Sequence, residues 1–158
     1  MNLSPQEIDR RMSAFIEACR EEGVKVTHQR IEVFREVAST EEHPDVETIH
    51  RRVRKRLPTI SLDTVYRAVA FLEKLNLISR VHVGSERSRF DGNTSPHHHL
   101  VCSRCGLIRD FYSAEADRLQ IPTEVRSWGR VDSIHVALEG ICSKCATAAR
   151  RKNKGNKG

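Results

Sequence analysis

Apolar and polar positions along the first ninety residues repeat with a helical period, broken at intervals by capping residues. Ser4-Pro5-Gln6-Glu7 is a capping box with proline at the first helical position, and Ile8, Met12, Phe15, Ile16 and Cys19 follow at helical spacing until Gly23. A second helix is predicted over Gln29 to Val37, with Ile31, Val33, Phe34 and Val37 as its apolar positions. A third starts at Asp45 as N-cap, carries Val46, Ile49 and Val53, and closes before Pro58. The fourth begins behind Ser61 and runs through SLDTVYRAVAFLEKLNLI, with Val65, Val69, Leu72 and Leu75 as an apolar stripe. Beyond it the period changes to two. VHV, a turn at Gly84-Ser85 and RSRFD form a predicted hairpin.

Past Asp91 the pattern consists of short strands, HHLVC, LIRDF and RVDSIHVAL, with a helical piece between Ala114 and Trp128 that Pro122 interrupts. The expected fold class is therefore α+β. It comprises an N-terminal winged helix-turn-helix DNA-binding domain over residues 1–90 and a small C-terminal α/β dimerisation domain over 91–149. So small a second unit buries little apolar surface by itself, and both a staple and pairing with a second copy are expected.

Charge refines this picture. Five of the six net positive charges, on Arg150, Arg151, Lys152, Lys154 and Lys157, fall in the last nine residues, which lack apolar anchors and read as a disordered basic tail over 150–158. The informative charge is local. From His50 to Arg67 the residues Arg51, Arg52, Arg54, Lys55, Arg56 and Arg67 face only Asp63, in a segment of helical pattern. The helix after Ser61 is the expected reader of double-stranded DNA, with Ser61, Asp63, Thr64, Tyr66 and Arg67 in or next to its exposed first turns and Arg30 on the second helix. No stretch approaches the roughly 18 apolar residues of a membrane span, and no basic and apolar leader opens the chain. A cytoplasmic protein without a membrane partner is expected, and its five cysteines are then reduced thiols rather than disulfides.

Candidate chemistry concentrates in SRFDGNTSPHHHLVCSRCG at 88 to 106. Cys102-x2-Cys105 and Cys142-x2-Cys145 are two knuckles of the kind that place four thiolates around one tetrahedral zinc, a closed structural site with no open position for catalysis. Cys19 lies on an apolar helix stripe and reads as a buried small hydrophobe. On a strand His97 and His99 share a face while His98 points away, and Asp91 and Asp110 lie near enough in sequence to join the pair. Imidazole with carboxylate suits a five- or six-coordinate Fe(II) or Mn(II) better than a thiolate-type zinc site.

VTHQR at 26–30, EHP at 42–44, SLDTVYRAVAFLEKLNLI, SRFD, HHHLVCSRCG with Asp110, and GICSKC, in this order and spacing, resemble the ferric uptake regulator family from about Ile8 to Cys145. The resemblance implies Cys102, Cys105, Cys142 and Cys145 as structural Zn(2+) ligands. It implies His43, Asp91, His97, His99 and Asp110 as a regulatory Fe(2+) or Mn(2+) site, in a homodimeric repressor of a palindromic operator. Local spacing would not have selected His43. The aspartate of SRFD leans toward the family's peroxide-sensing branch, in which His43 or His97 would be oxidised. Iron-responsive and zinc-responsive repressors of the same family are the alternatives. A metal-dependent hydrolase is a remote one, because no spare general base stands at an evident spacing; no enzymatic activity is expected. His28 replaces the family's proline. At the positions of a third family metal site stand Pro96, His98, Asp117 and Ile134, two of which cannot coordinate, so no third site is expected; His135 is left unassigned.

Overall fold

The structure is a computed structural model that describes residues 3–81, 88–125, 127–131 and 134–154. The chain divides into two compact units, Met1–Thr94 and Ser95–Gly158, so Asp91 lies inside the first unit. None of the helices among the described residues is long and apolar enough to cross a membrane.

The first unit holds four helices: α1 (Pro5–Glu21), α2 (His28–Ala38), α3 (Val46–Val53) and α4 (Leu62–Lys74). Each is capped by the residue the pattern marked or one at its edge. Ser4, Thr27, Asp45 and Ser61 accept from the backbone N–H of Glu7, Arg30, Thr48 and Thr64, which satisfies one orphan donor per helix. His28 is the first residue of α2, behind the Thr27 cap, so losing proline there does not cost the helix its start. α2 packs against α1, α3 and α4. Phe15, Val33, Phe34, Val37, Ile49, Val53, Val65 and Leu72 are fully buried in one core, and Phe15 stacks on Phe34 at 5.0 Å. Cys19 belongs to that core, where burial raises its thiol pKa.

A two-stranded antiparallel hairpin, β1 (Ser79–Val81) and β2 (Arg89–Asp91), completes the unit, with Arg80 opposite Phe90. Its expected turn at Gly84-Ser85 lies outside the described residues. Gly92, directly after β2, approaches the backbone of α2 so closely that a Cβ there would lie 2.9 Å from the Val37 carbonyl oxygen and the Ala38 Cα. Only glycine fits at that crossing.

The second unit is built on a three-stranded sheet in the order β4-β3-β5, with β3 (His98–Cys102) central, β4 (Ile108–Phe111) antiparallel to it and β5 (Ala137–Gly140) parallel. The helical piece expected between Ala114 and Trp128 is reduced to α5 (Ala114–Asp117) and a single 3-10 turn, Thr123–Val125. The last strand begins only at Ala137. The apolar residues of that stretch have no core to face: Leu119, Trp128 and Ile134 are exposed, and amphipathicity without a surface to cover does not hold a short helix. α6 (Ser143–Lys154) starts inside the second knuckle and carries helix as far as residue 154, into the tail expected to be disordered.

Candidate metal centre

The thiol cluster is assembled by the sheet. Antiparallel pairing of β3 with β4 closes the first knuckle, where the Gly106 N–H donates to the Cys102 carbonyl at 2.9 Å and Gly106 adopts φ 69°, a conformation that favours glycine. Parallel pairing of β3 with β5 brings up the second, and the N–H and hydroxyl of Ser103 both donate to the Gly140 carbonyl, at 2.8 and 3.1 Å. Arg104 donates to the Cys145 carbonyl at 3.0 Å. The Sγ atoms of Cys102, Cys105, Cys142 and Cys145 then lie within 4.8 Å of one another, and all four thiols are free of disulfides.

Cys105 and Cys142 sulfurs are 3.8 Å apart. Two thiolates bound at tetrahedral angles to zinc, with Zn–S near 2.3 Å, are separated by about 3.8 Å, so the cluster has the dimensions of the ion it would hold. The amide of Cys142 donates to Cys102 Sγ at 3.3 Å. That contact, with the Cys105 amide, brings the Cys102 pKa down to about 6. Cys145, hydrogen-bonded with the Cys105 and Cys142 thiols, is pushed up to about 12. Four acidic groups crowded together cannot all ionise without a cation, and a divalent ion supplies that charge.

The five residues expected to form the regulatory site fall in two sets. In the first unit His43 and Asp91 are both buried, with Nε2 and Oδ2 3.4 Å apart. His43 stands in the loop before α3 and Asp91 ends β2; Phe90 N–H donates to the Pro44 carbonyl at 3.1 Å, which keeps the two segments side by side. In the second unit the register places His99 opposite Asp110, so both side chains share a face, and His97, just ahead of β3, joins them. His97 and His99 Nε2 atoms are 3.0 Å apart, and Asp110 Oδ1 lies 3.8 and 3.9 Å from them. Two imidazole nitrogens about 2.1 Å from one ion stand about 3.0 Å apart at a right angle and about 3.4 Å apart at the tetrahedral angle. One ion can bridge nitrogens at the observed spacing, and imidazole with carboxylate donors suits a five- or six-coordinate divalent ion.

His98 points to the other face of the sheet. Its Nε2 lies 3.1 Å from Asp117 Oδ1 and its ring packs against Phe111. Of the residues at the third-site positions, these two meet each other.

The expected nucleic-acid contacts are distributed unevenly. Tyr66 is exposed, and Asp63 and Arg67, also exposed, pair at 2.9 Å along the outer face of α4. Ser61 is engaged as the α4 cap, its hydroxyl 2.8 Å from that of Thr64. Arg30 lies 3.9 Å over the Phe71 ring and donates to the Lys25 carbonyl, so its charge is held against the unit's own core. The basic run on α3 and in the turn after it is partly neutralised within the unit. Arg56 binds Glu32 and Glu36 at 2.6 and 2.9 Å, and Arg52 reaches Glu36 and Glu42. Local sequence does not show this neutralisation, because the acidic partners lie ten or more residues away on α2 and the following loop.

A sequence profile described as the Ferric uptake regulator family matches residues 21–139. The peroxide-responsive repressor PerR of Staphylococcus epidermidis is 30% identical over 148 residues, covering 92% of this chain and 97% of that protein. Among solved structures, a zinc-bound manganese uptake regulator is similar with a TM-score of 0.64 and 34% identity over 80% of this chain and 96% of its own. The Campylobacter jejuni peroxide stress regulator is similar with a TM-score of 0.66 and 27% identity, covering 82% of this chain and 98% of its own.

Proposed function

Because this chain belongs to the ferric uptake regulator family, we propose that it is a metal-dependent transcriptional repressor that binds a palindromic operator as a homodimer and releases it when peroxide oxidises its regulatory site. The carrying observation is the division of donors. His43 and Asp91 lie in one unit, and His97, His99 and Asp110 lie in the next. An ion ligated by both sets delivers its full coordination energy in only one arrangement of the two units, and that difference in affinity is what a switch requires. The four thiols hold the structural zinc, which closes the second unit and leaves the nitrogen and oxygen donors for sensing.

In this reading the first unit is a winged helix-turn-helix, with α4 as the reading helix and β1 and β2 as the base of the wing. Tyr66, Asp63 and Arg67, in the first turns of α4, are exposed side chains that can meet a duplex. The second unit pairs with a copy of itself through the sheet face that leaves Leu100 and Leu138 uncovered, continued by Ile141 and bordering a cavity of 350 Å³. Two-fold pairing sets two α4 helices at the spacing of a palindrome.

The chemistry that Fe(II) supplies when bound is reduction of peroxide, which Mn(II) does not perform. The oxygen atom would be gained by His43 or His97. An oxidised imidazole ligates poorly, so the donor set loses a member and the preferred arrangement is no longer held. A second reading, a repressor that responds to metal supply alone, is favoured by the likeness to a manganese uptake regulator.

Operator binding with Fe(II), Mn(II) and Zn(II), each before and after peroxide and at fixed salt, separates the two. Peroxide sensing predicts that metal strengthens binding by at least about tenfold. Only the Fe(II) form then loses its binding to peroxide, with one oxygen gained on a peptide containing His43 or His97. Binding that depends on metal but survives peroxide in every form leaves the metal-supply reading. Equal binding with and without metal discards both.

A further inference from the structure

Two non-glycine residues among those described have positive φ, Asn76 at 54° and His43 at 50°. Asn76 ends α4 in a Schellman turn, with Leu77 N–H on the Leu72 carbonyl and Asn76 N–H on the Glu73 carbonyl, a common use of that conformation. His43 caps nothing. It precedes Pro44, where sterics push the backbone toward extended values, and a left-handed conformation costs a side-chain-bearing residue about 1–2 kcal/mol. Such strain persists only where the surroundings over-determine it.

The surroundings of His43 do so from both sides. Arg89 donates from its guanidinium to the His43 carbonyl at 3.3 Å, and Phe90 N–H takes the Pro44 carbonyl. Upstream, the Glu41 carbonyl lies 3.1 Å from His43 Nδ1, which leaves Nε2 turned toward Asp91, and Glu42 is ion-paired with Arg52 of α3. Arg89 and Asp91 are two residues apart on β2, so the strand that supplies one donor also supplies the clamp on the other. If His43 relaxed to an extended backbone, its carbonyl would rotate away from Arg89 and its imidazole away from Asp91. The contact that holds the carbonyl therefore also aims the ring.

We propose that Arg89 is a positioning residue for the regulatory metal, holding His43 in its strained conformation so that the His43–Asp91 pair is formed before any ion arrives, with the Arg52–Glu42 pair as a second buttress. This rests on the reading of His43 and Asp91 as ligands. Preorganisation of this kind raises affinity, because the cost of ordering the ligand is met by folding rather than by binding.

The test is Mn(II) titration calorimetry on the full zinc-loaded chain, with the unfolding midpoint of the Mn(II)-free protein and the imidazole NMR signals of His43 recorded alongside. His43→Ala and Asp91→Ala calibrate it. Arg89→Ala is expected to raise the Mn(II) Kd about tenfold, the usual scale for partners one step behind a metal ligand. The midpoint should hold and the His43 ring should become mobile. Arg89→Lys keeps a donor within reach and should restore most of the affinity, while Glu42→Ala should weaken binding severalfold. Wild-type affinity in Arg89→Ala while His43→Ala loses Mn(II) overturns the positioning role and leaves the ligand reading intact. Wild-type affinity in His43→Ala removes the ligand reading and this inference with it. An affinity loss matched by a fall in midpoint and not rescued by lysine assigns Arg89 a purely structural role. Should Arg89→Ala fail to fold, Glu42→Ala decides, and unchanged affinity there overturns the proposal.

Discussion

Glu7, in the first turn of α1, accepts from both Arg10 and Arg11, and these guanidinium bonds hold its pKa down to about 2 from the ordinary 4.5. Arg11 in turn donates to the Ala38 carbonyl at 3.1 Å, so one carboxylate helps fasten α1 to the end of α2. The folded value lies below the unfolded one. The contribution to stability is therefore complete above pH 4.5 and is lost as pH falls through about 2. Glu7→Gln should lower stability at neutral pH by less than about 1 kcal/mol, because Arg10 is solvent-exposed and screening discounts the pair. It should also flatten the acid limb of a denaturant titration repeated between pH 4.5 and 2. Cys142 acts at the same scale with a larger effect. Cys142→Ala leaves three thiols and opens the closed site, so zinc measured by elemental analysis should fall from one per chain toward none, and protection of the β5 and α6 amides should be lost with it. Residue identity alone announced the thiol cluster, since two C-x2-C pairs have few other uses. His43 had no such signature. Its partner Asp91 is 48 positions away, and hydrogen bonds of the hairpin to the His43-Pro44 segment hold the two side by side.

Among the elements, α3 shows how local charge can mislead. The basic run on this helix and in the turn after it has the composition of a nucleic-acid surface, yet Arg52 of the helix and Arg56 of the turn spend their charge on Glu32, Glu36 and Glu42. Burial pushes the Glu32 carboxyl pKa up, and the ion pairs with Arg56 and Arg35 outweigh it, so the net shift is downward. Arg56→Ala would leave two nearly buried carboxylates short of a partner. It should destabilise the first unit by about 2 kcal/mol in urea unfolding, less than a fully buried pair because Arg56 is itself half-exposed. Operator affinity extrapolated to the fully folded protein should change little. Lys55→Ala, on the exposed side of the same segment, should leave stability intact and reduce the salt slope of binding by about one phosphate. The four helices of the first unit are legible because each has a side-chain cap and a stripe at 3.6-residue spacing. The stretch from Ala114 to Trp128 is not, because its apolar residues Leu119 and Trp128 stay exposed and lend a helix no packing.

At the level of the whole molecule, the uncovered face of the second unit's sheet carries the assembly prediction. Leu138 is 52% exposed and lies beside Leu100, itself 42% exposed, in the parallel pairing of β3 and β5. A side chain that open can be replaced without harming the fold of one copy. Leu138→Asp should therefore keep zinc and the unfolding midpoint of the monomer while shifting light-scattering mass from two chains to one at micromolar concentration. Operator affinity should fall sharply, because two half-sites are no longer bound together.

The sequence by itself determined what depends on neighbours in the chain. Caps and periodicity define the helices, cysteine spacing defines the knuckles, and strand alternation separates His97 and His99 from His98. Only the tertiary structure decided what depends on residues far apart. It pairs Arg52 of α3 and Arg56 of the following turn with acids on α2, sets Asp91 beside a strained His43, and lets Gly92 cross the end of α2 where no other residue fits. The physical reason is range: backbone hydrogen bonds and side-chain periodicity act within a few residues, whereas ion pairing, ligand geometry and close packing act through space between segments that only folding brings together.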